Sequence, residues 1–250
     1  MTGMMQDYLC LDLETTGLNP KTDKIIEIGA VKVLGGEIAG TFSTFVKPGR
    51  ALEERVKELT GIAEEDLADA PVIAEVLPGF LEFAEGLPLL GHRVLFDFSF
   101  MKRATANEKL VFERSGIDTL KIARKYLPDL PSKKLSDLCA HYEIPIKAHR
   151  ALEDAKAAHF LYQKLAAQFF GNADAAGGAY KESDFFPEPL IYKVKREGPA
   201  TKAQKERLQR LIGQYGLTPE YDVEMLTKNE ASRLIDRILA SQAILQNPEK

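Results

Sequence analysis

Asp12 and Glu14 in YLCLDLETTGL, Asp97 in GHRVLFDFSF, and His149 with Asp154 in AHRALEDAKAAH are the residues of this chain best suited to chemistry. The carboxylates lie in apolar stretches, where an ionised group is costly to bury unless a cation or a donor offsets its charge. Hard divalent cations do this, and phosphate oxygens then complete their coordination. Assembled without cations, Asp12, Glu14, Asp97 and Asp154 would repel one another. Two Mg²⁺ or Mn²⁺ ions about 4 Å apart would relieve that repulsion, activate water and stabilise a departing 3′ oxygen. A closed zinc site would want several Cys or His ligands instead. His149, whose ordinary pKa lies near neutrality, suits taking the proton of that water, and Asp12 is the expected bridge between the ions. The implied chemistry is metal-dependent phosphodiester hydrolysis.

Spacing refines this reading. Residues two apart on a strand share a face, so D-x-E sets Asp12 and Glu14 together while Leu9, Leu11 and Leu13 take the other side. Taken alone, D-x-E also fits a salt-bridged strand end, and Asp97 also fits a helix cap. Five residues of ideal helix rotate through about 500°, which leaves His149 and Asp154 roughly 140° apart. His149 is therefore expected in a loop or an irregular first turn, after the extended Ile144-Pro145-Ile146, with Asp154 pointing inward from the helix. Arg150 and Glu153 read as surface groups, Arg150 within reach of a phosphate. His92 reads as a structural imidazole, His141 as a helix-surface residue and His159 as a helix-packing one.

The elements that must position these groups begin with strands over residues 8–13, 24–34 and 37–46, the last two joined at Gly35-Gly36. Helices follow in VKELTG and over residues 67–84, where Pro71 opens the longer one. A short buried strand at 89–92 leads to Asp97 and a helix over 98–110. Short helices are expected after Asp118 and over 135–142. The clearest helix before Gly171 spans 151–170, with Leu152, Ala155, Ala158, Leu161, Tyr162 and Leu165 on its apolar stripe. The sum is an α/β domain with a mixed sheet packed against several helices.

The bulk numbers agree with a soluble globular chain: 250 residues, 45% hydrophobic and 28% charged. Two cysteines, Cys10 and Cys139, give no disulfide framework and read as core residues in a reducing, cytoplasmic compartment. MTGMMQDY has no basic region leading into a long apolar run, and no segment is apolar enough for long enough to span a bilayer. The formal net charge of −4 argues against tight non-specific binding to nucleic acid. It leaves room for a substrate drawn in by bound metal and a local basic patch.

The motifs together resemble the DEDDh exonuclease family, the group that includes the proofreading subunit of bacterial DNA polymerase III. LDLETTGL is similar to the first motif. GHRVLFDFSF is similar to the second, with Arg93 in place of the usual Asn. HRALEDA is similar to the third, with a histidine five positions before the last aspartate; the related tyrosine-using group would need Tyr where Arg150 stands. Pro48 with VKELTGI, and DTLKIAR, match further family segments, so the resemblance spans residues 8–170. It implies a ribonuclease-H-like fold and 3′-to-5′ removal of nucleoside monophosphates from DNA, with RNA left open. It implies Asp12, Glu14, Asp97 and Asp154 as ligands of two Mg²⁺ or Mn²⁺, His149 as general base, and Thr15, Leu18, Phe96 and Phe98 near the terminal nucleotide. The partners implied are a DNA 3′ end and a DNA polymerase or another replication or repair protein, with the oligomeric state open. The alternative is a non-catalytic nucleic-acid-binding or replication scaffold on the same fold.

Residues 1–172 are thus expected as the exonuclease domain, 173–200 as a linker or docking segment, and 201–250 as a small helical accessory region. Phe185, Phe186 and Leu190 are apolar enough to dock back on the main domain. Thr201 to Gln204 and Thr227 to Glu230 each have capping-box spacing. Lys193, Lys195, Arg196, Lys202, Lys205, Arg207 and Arg210 form a basic stretch, read either as a solvated face or as a nucleic-acid or polymerase handle.

Overall fold

The computed structural model of the chain describes residues 4–145, 150–172 and 180–246. Strands β1 (Tyr8–Thr15), β2 (Ile25–Leu34) and β3 (Glu37–Phe45) form an antiparallel meander. Gly35 and Gly36 both sit at positive φ (60° and 84°), the backbone a tight two-residue hairpin demands. Three helices follow, α1 (Glu54–Thr60), α2 (Glu64–Ala68) and α3 (Ile73–Ala84), then β4 (Leu89–Gly91) and α4 (Val94–Asn107). The chain continues through β5 (Ser115–Asp118), α5 (Thr119–Tyr126), α6 (Leu135–His141) and the long α7 (Ala151–Phe169). Strand β6 (Glu188–Pro189) and helices α8 (Lys202–Tyr215) and α9 (Lys228–Gln246) complete it.

Among the described residues the strands form one mixed sheet in the order β3-β2-β1-β4-β5-β6, with β1, β4 and β5 parallel. Strand β1 is central and therefore buried on both faces, and its alternation sorts the two cores. Tyr8 and Cys10, with Val31 and Val33 of β2, face α5, α6 and α7. Leu9, Leu11 and Leu13, with Ile28 and Ala30, face α3 and α4. Asp12 and Glu14 continue the α7 side of that alternation, opposite the three leucines as the sequence predicts. Cys10 and Cys139 are buried free thiols in the core, and no helix among the described residues is long and apolar enough to cross a membrane.

Two expectations need correction, and one strand went unread. The helix carrying Asp97 starts at Val94, not residue 98, because Arg93 turns the chain in the left-handed region (φ 74°) while its N–H donates to Asp118 Oδ1 at 2.8 Å. Asp97 is thus a first-turn helical residue rather than a cap. The segment 67–84 is divided: the Pro71 carbonyl accepts from Lys47 N at 3.0 Å, and the helix begins two residues later. The short strand β5 has no counterpart in the sequence reading.

Residues 180–190 return to the sheet rather than hanging free. Phe185 is fully buried, the Tyr162 hydroxyl donates to its carbonyl at 2.9 Å, and β6 pairs with β5, where Leu190 covers Gly116. Helices α8 and α9 pack together through Leu208, Leu211, Ala231 and Ile235. Both expected capping boxes are present, at Thr201–Gln204 and Thr227–Glu230. Glu230 is one weld to the rest of the molecule, beside the backbone bonds of Ala51 to Glu220 and Asp222 to Gly49. Its carboxylate caps α9 and also meets Lys24 Nζ at 2.8 Å and Arg50 Nη2 at 3.3 Å. Burial alone would raise its pKa, but Lys24 and the Thr227 donors outweigh that and hold it below the ordinary glutamate value.

A depressed folded-state pKa means stability that is present above the unfolded value and is lost as pH falls through the folded one. Glu230→Ala is therefore expected to cost about 2 kcal/mol in urea unfolding at neutral pH, from the lost cap and the stranded cations. The gap between parent and variant should close as pH falls through the depressed folded-state value. Equal midpoints at neutral pH would show that this weld contributes nothing.

Candidate active site

The carboxylates converge because two sequence-distant elements meet at one end of β1. In the β1–β2 register, Asp12 lies opposite Gly29 and Glu14 opposite Glu27. Gly29 leaves room for the first turn of α7 to lie directly on the sheet; a Cβ there would overlap the backbone of Ala151 and Leu152. Glu27, 1% exposed, accepts the Ala151 N–H at 3.2 Å and receives the Arg150 guanidinium, with Nη2 at 3.1 Å and Nε at 3.2 Å. That contact seats the α7 N-terminus over β1 and β2. Three residues on, Asp154 brings its carboxylate to Asp12 and Glu14, and one oxygen from each of the three lies within 4.8 Å of the others.

Asp97 arrives from α4, on the other face of the sheet. It is 3% exposed, and its Oδ1 accepts the N–H of Leu13, the residue between Asp12 and Glu14, at 3.1 Å. It stands outside the three-residue cluster but close enough that its charge raises the Asp12 pKa. Burial raises Asp12 most, followed by the charges of Asp97, Asp154, Glu14 and Glu27. Burial also pushes Asp97 up, against hydrogen bonds from its own N–H and from Leu13. Glu14 is pushed up to about 7, by burial first and then by Asp154 and Glu27. Arg150, bound to Glu27, offsets only part of this negative charge at Glu14. Hard oxygen donors, desolvated and mutually repelling, are the set that a divalent cation of the Mg²⁺ or Mn²⁺ kind fits.

His149, the fifth predicted residue, lies outside the described residues, one position before the anchored Arg150. Thr15 ends β1, its hydroxyl donating to the Gly17 carbonyl at 2.7 Å, and Leu18 in the next turn is 74% exposed. Phe96 is half-buried, its ring 5.0 Å from that of Phe100. Phe98 does not line the site. It is fully buried and stacked on Phe112 at 5.7 Å, so it supports α4 from within the core. His92 is the structural imidazole expected: Nε2 donates to the Lys133 carbonyl at 2.8 Å and Nδ1 pairs with the Thr119 hydroxyl at 2.9 Å. Burial lowers its pKa despite that carbonyl. His159 is a packing residue, bonded to the Tyr8 hydroxyl at 2.9 Å. The sequence reading missed Glu27 and Gly29 and took Arg150 for a surface group. A lone Glu among Ile25, Ile26 and Ile28 was the available signal.

Comparison with known proteins follows the same motifs. The family model described as Exonuclease (RNase_T) matches residues 9–162. The chain is 43% identical over 160 residues to the DNA polymerase III PolC-type of Caldanaerobacter subterraneus, covering 64% of this chain and 11% of that protein. With the PolC-type enzyme of Latilactobacillus sakei it is 32% identical over 244 residues, 95% of this chain and 17% of that one. It therefore spans a small part of the curated relatives it matches. Among solved structures, exonuclease X in complex with 5′ overhanging duplex DNA is similar at 25% identity and a TM-score of 0.50, over 68% of this chain and 99% of that one. The nuclease domain of 3′hExo, a DEDDh family member bound to rAMP, shares the fold at a TM-score of 0.55 and 21% identity, over 65% and 92%. The mixed sheet with flanking helices is the ribonuclease-H-like arrangement of these neighbours.

Two outcomes follow from this geometry. Gly29→Ala should destabilise the chain by about 3 kcal/mol, because its methyl group collides with backbone that cannot rotate away; an unchanged midpoint in chemical unfolding would contradict the close approach of α7. The raised acids give the opposite pH sign to Glu230: a folded pKa above the unfolded one means stability is lost as pH rises through the folded value. Without metal, thermal stability should fall as pH rises through Glu14's value of about 7, and millimolar Mg²⁺ or Mn²⁺ should restore it at pH 8. A melting temperature indifferent to both ion and pH would count against a cation site here.

Proposed function

This chain belongs to the exonuclease family, and on that premise we propose that it removes nucleoside 5′-monophosphates from the 3′ ends of DNA by divalent-metal-dependent hydrolysis. The observation that carries the reading is the gathering of Asp12, Glu14 and Asp154 oxygens within 4.8 Å in a desolvated site. Asp12, Glu14, Asp97 and Asp154 would hold the ions, with Asp12 central because every other acid of the set raises its pKa. Two Mg²⁺ or Mn²⁺, when bound, supply the charge that activates water and stabilises the leaving 3′ oxygen. His149 accepts the proton of the attacking water at a ring nitrogen, a role its ordinary pKa suits. The Glu27–Arg150 contact fixes the chain one residue away from it.

Binding of the terminal nucleotide falls to Thr15, Leu18 and Phe96. Leu18 presents an exposed apolar side chain in the turn directly after Glu14, the kind of group on which a base can rest. DNA is the inferred polymer, and a replicative polymerase the inferred context, because the relatives that match include PolC-type DNA polymerases III. RNA would need 2′-hydroxyl contacts to be favoured or refused, and a direct comparison of polymers decides it.

The test is release of mononucleotides from 3′-labelled DNA and RNA, single- and double-stranded, in Mg²⁺ or Mn²⁺. Chelation should stop the reaction, and Asp12→Asn should slow it by about a thousandfold or more. Hydrolysis that survives either treatment, or that yields internal fragments, would refute the mechanism. A metal-loaded parent protein that binds DNA without cleaving it would instead favour the scaffold alternative.

A further inference from the structure

Beside the acidic cluster lies a cavity of about 470 Å³ whose wall is basic. Asp154 lines it together with His92, Arg93, Arg124, Lys133 and Lys134. The cations come from three places: the N-cap of α4, the body of α5, and the loop that leads into α6. Arg93, Arg124 and Lys134 are exposed. Among the described residues none of the four pairs with a carboxylate; Lys133 Nζ donates to the carbonyls of Leu130 and Pro128. Some cations elsewhere on this surface are matched, as Lys102 is with Glu113 and Lys205 with Glu224. Cations drawn from separate elements to one wall make a local positive patch on a chain of net charge −4.

The wall is also held rigidly. His92 ties the end of β4 to α5 through Thr119 and to the lysine-bearing loop through the Lys133 carbonyl. Asp118 holds Arg93 in its left-handed conformation and, with the same oxygen, caps α5 at Leu120 N (2.9 Å). A non-glycine residue kept at positive φ is strained and persists where surrounding structure enforces it.

We propose that this cleft is a track for the phosphodiester backbone of the nucleic-acid strand, binding the nucleotides adjoining the one whose bond is cleaved at the Asp12–Glu14–Asp154 cluster. The inference rests on the exonuclease reading and deepens it by assigning the polymer-binding surface. A polyanion approaching four carboxylates is repelled, and fixed cations at the margin of the acidic site overcome that repulsion. The cleft opens on Asp154, so a strand lying along it delivers its end to the acids.

The experiment compares parent with the Arg124→Gln, Lys134→Gln double variant on a dinucleotide and on a twelve-nucleotide single strand of DNA, in Mg²⁺. For the longer strand KM should rise about tenfold, and the plot of log(kcat/KM) against log[salt] should become shallower by about 1.4, from two lost contacts. For the dinucleotide the rise should stay below about threefold, since only one of its nucleotides enters the cleft. The charge-keeping pair Arg124→Lys, Lys134→Arg should recover most of the length-dependent loss. A general structural defect would affect both lengths alike, so an equal loss on the two substrates, or none, overturns the track. A parent protein that cleaves neither overturns the exonuclease reading beneath it.

Discussion

The site exists because the first turn of α7 is allowed to touch β2. Carboxylates gathered at the end of a central strand repel one another and lose hydration, so the fold must impose their proximity. Gly29 removes the side chain that would hold the helix off, and Glu27 supplies an acceptor for Arg150 and for the Ala151 N–H. A helix N-terminus carries unsatisfied donors and partial positive charge, and a buried carboxylate answers both. Asp154 is carried to Asp12 and Glu14 as a consequence of that seat. The same contact adds a further negative group near the site, which raises the need for a cation. Structure and function therefore draw on one opposition: packing and hydrogen bonds hold together what electrostatics would separate.

The second support comes from the opposite face. Asp97 accepts from the backbone between Asp12 and Glu14, so α4 fixes β1 just where its side chains must be aimed. Its seat is apolar: Phe98 against Phe112, Val94 beneath Gly91, Met101 in the core. That explains why a residue read as part of the nucleotide pocket is buried instead. On a helix successive residues point about 100° apart, and that turn carries Phe98 away from Asp97 into the core against Phe112.

Much of this was legible in advance, for reasons that can be named. Alternation in residues 8–13 placed Asp12 and Glu14 opposite three leucines, and the long apolar stripe of residues 151–170 gave α7 with Asp154 near its start. Both capping boxes were readable because they are local. What escaped was non-local or short. Strand β5 has four residues and β6 two, too few for a period to declare itself. The start of α4 depends on Asp118, twenty-five residues away, holding Arg93. Glu27 was visible as a charge inside an apolar strand, but its partners lie more than 120 residues further on. His149 falls outside the described residues, so its role rests on motif and chemistry.

Charge is sorted in this molecule rather than averaged, and net charge is therefore a poor guide to what it binds. The C-terminal basic stretch drew attention as a possible handle, yet its ions are partly answered within the helical pair: Lys205 by Glu224, Lys202 by Glu206 at 3.9 Å. Glu230 does the same for Lys24 and Arg50 where that pair meets the β1–β2 turn. Cations paired in this way have little field left over for a distant phosphate, because each is screened by a carboxylate at contact distance. Arg93, Arg124, Lys133 and Lys134 have no such answer among the described residues, and they stand where the acidic site most needs one. A polyanion meets these fixed cations beside the carboxylates, and their attraction opposes the repulsion of the acidic end of the sheet.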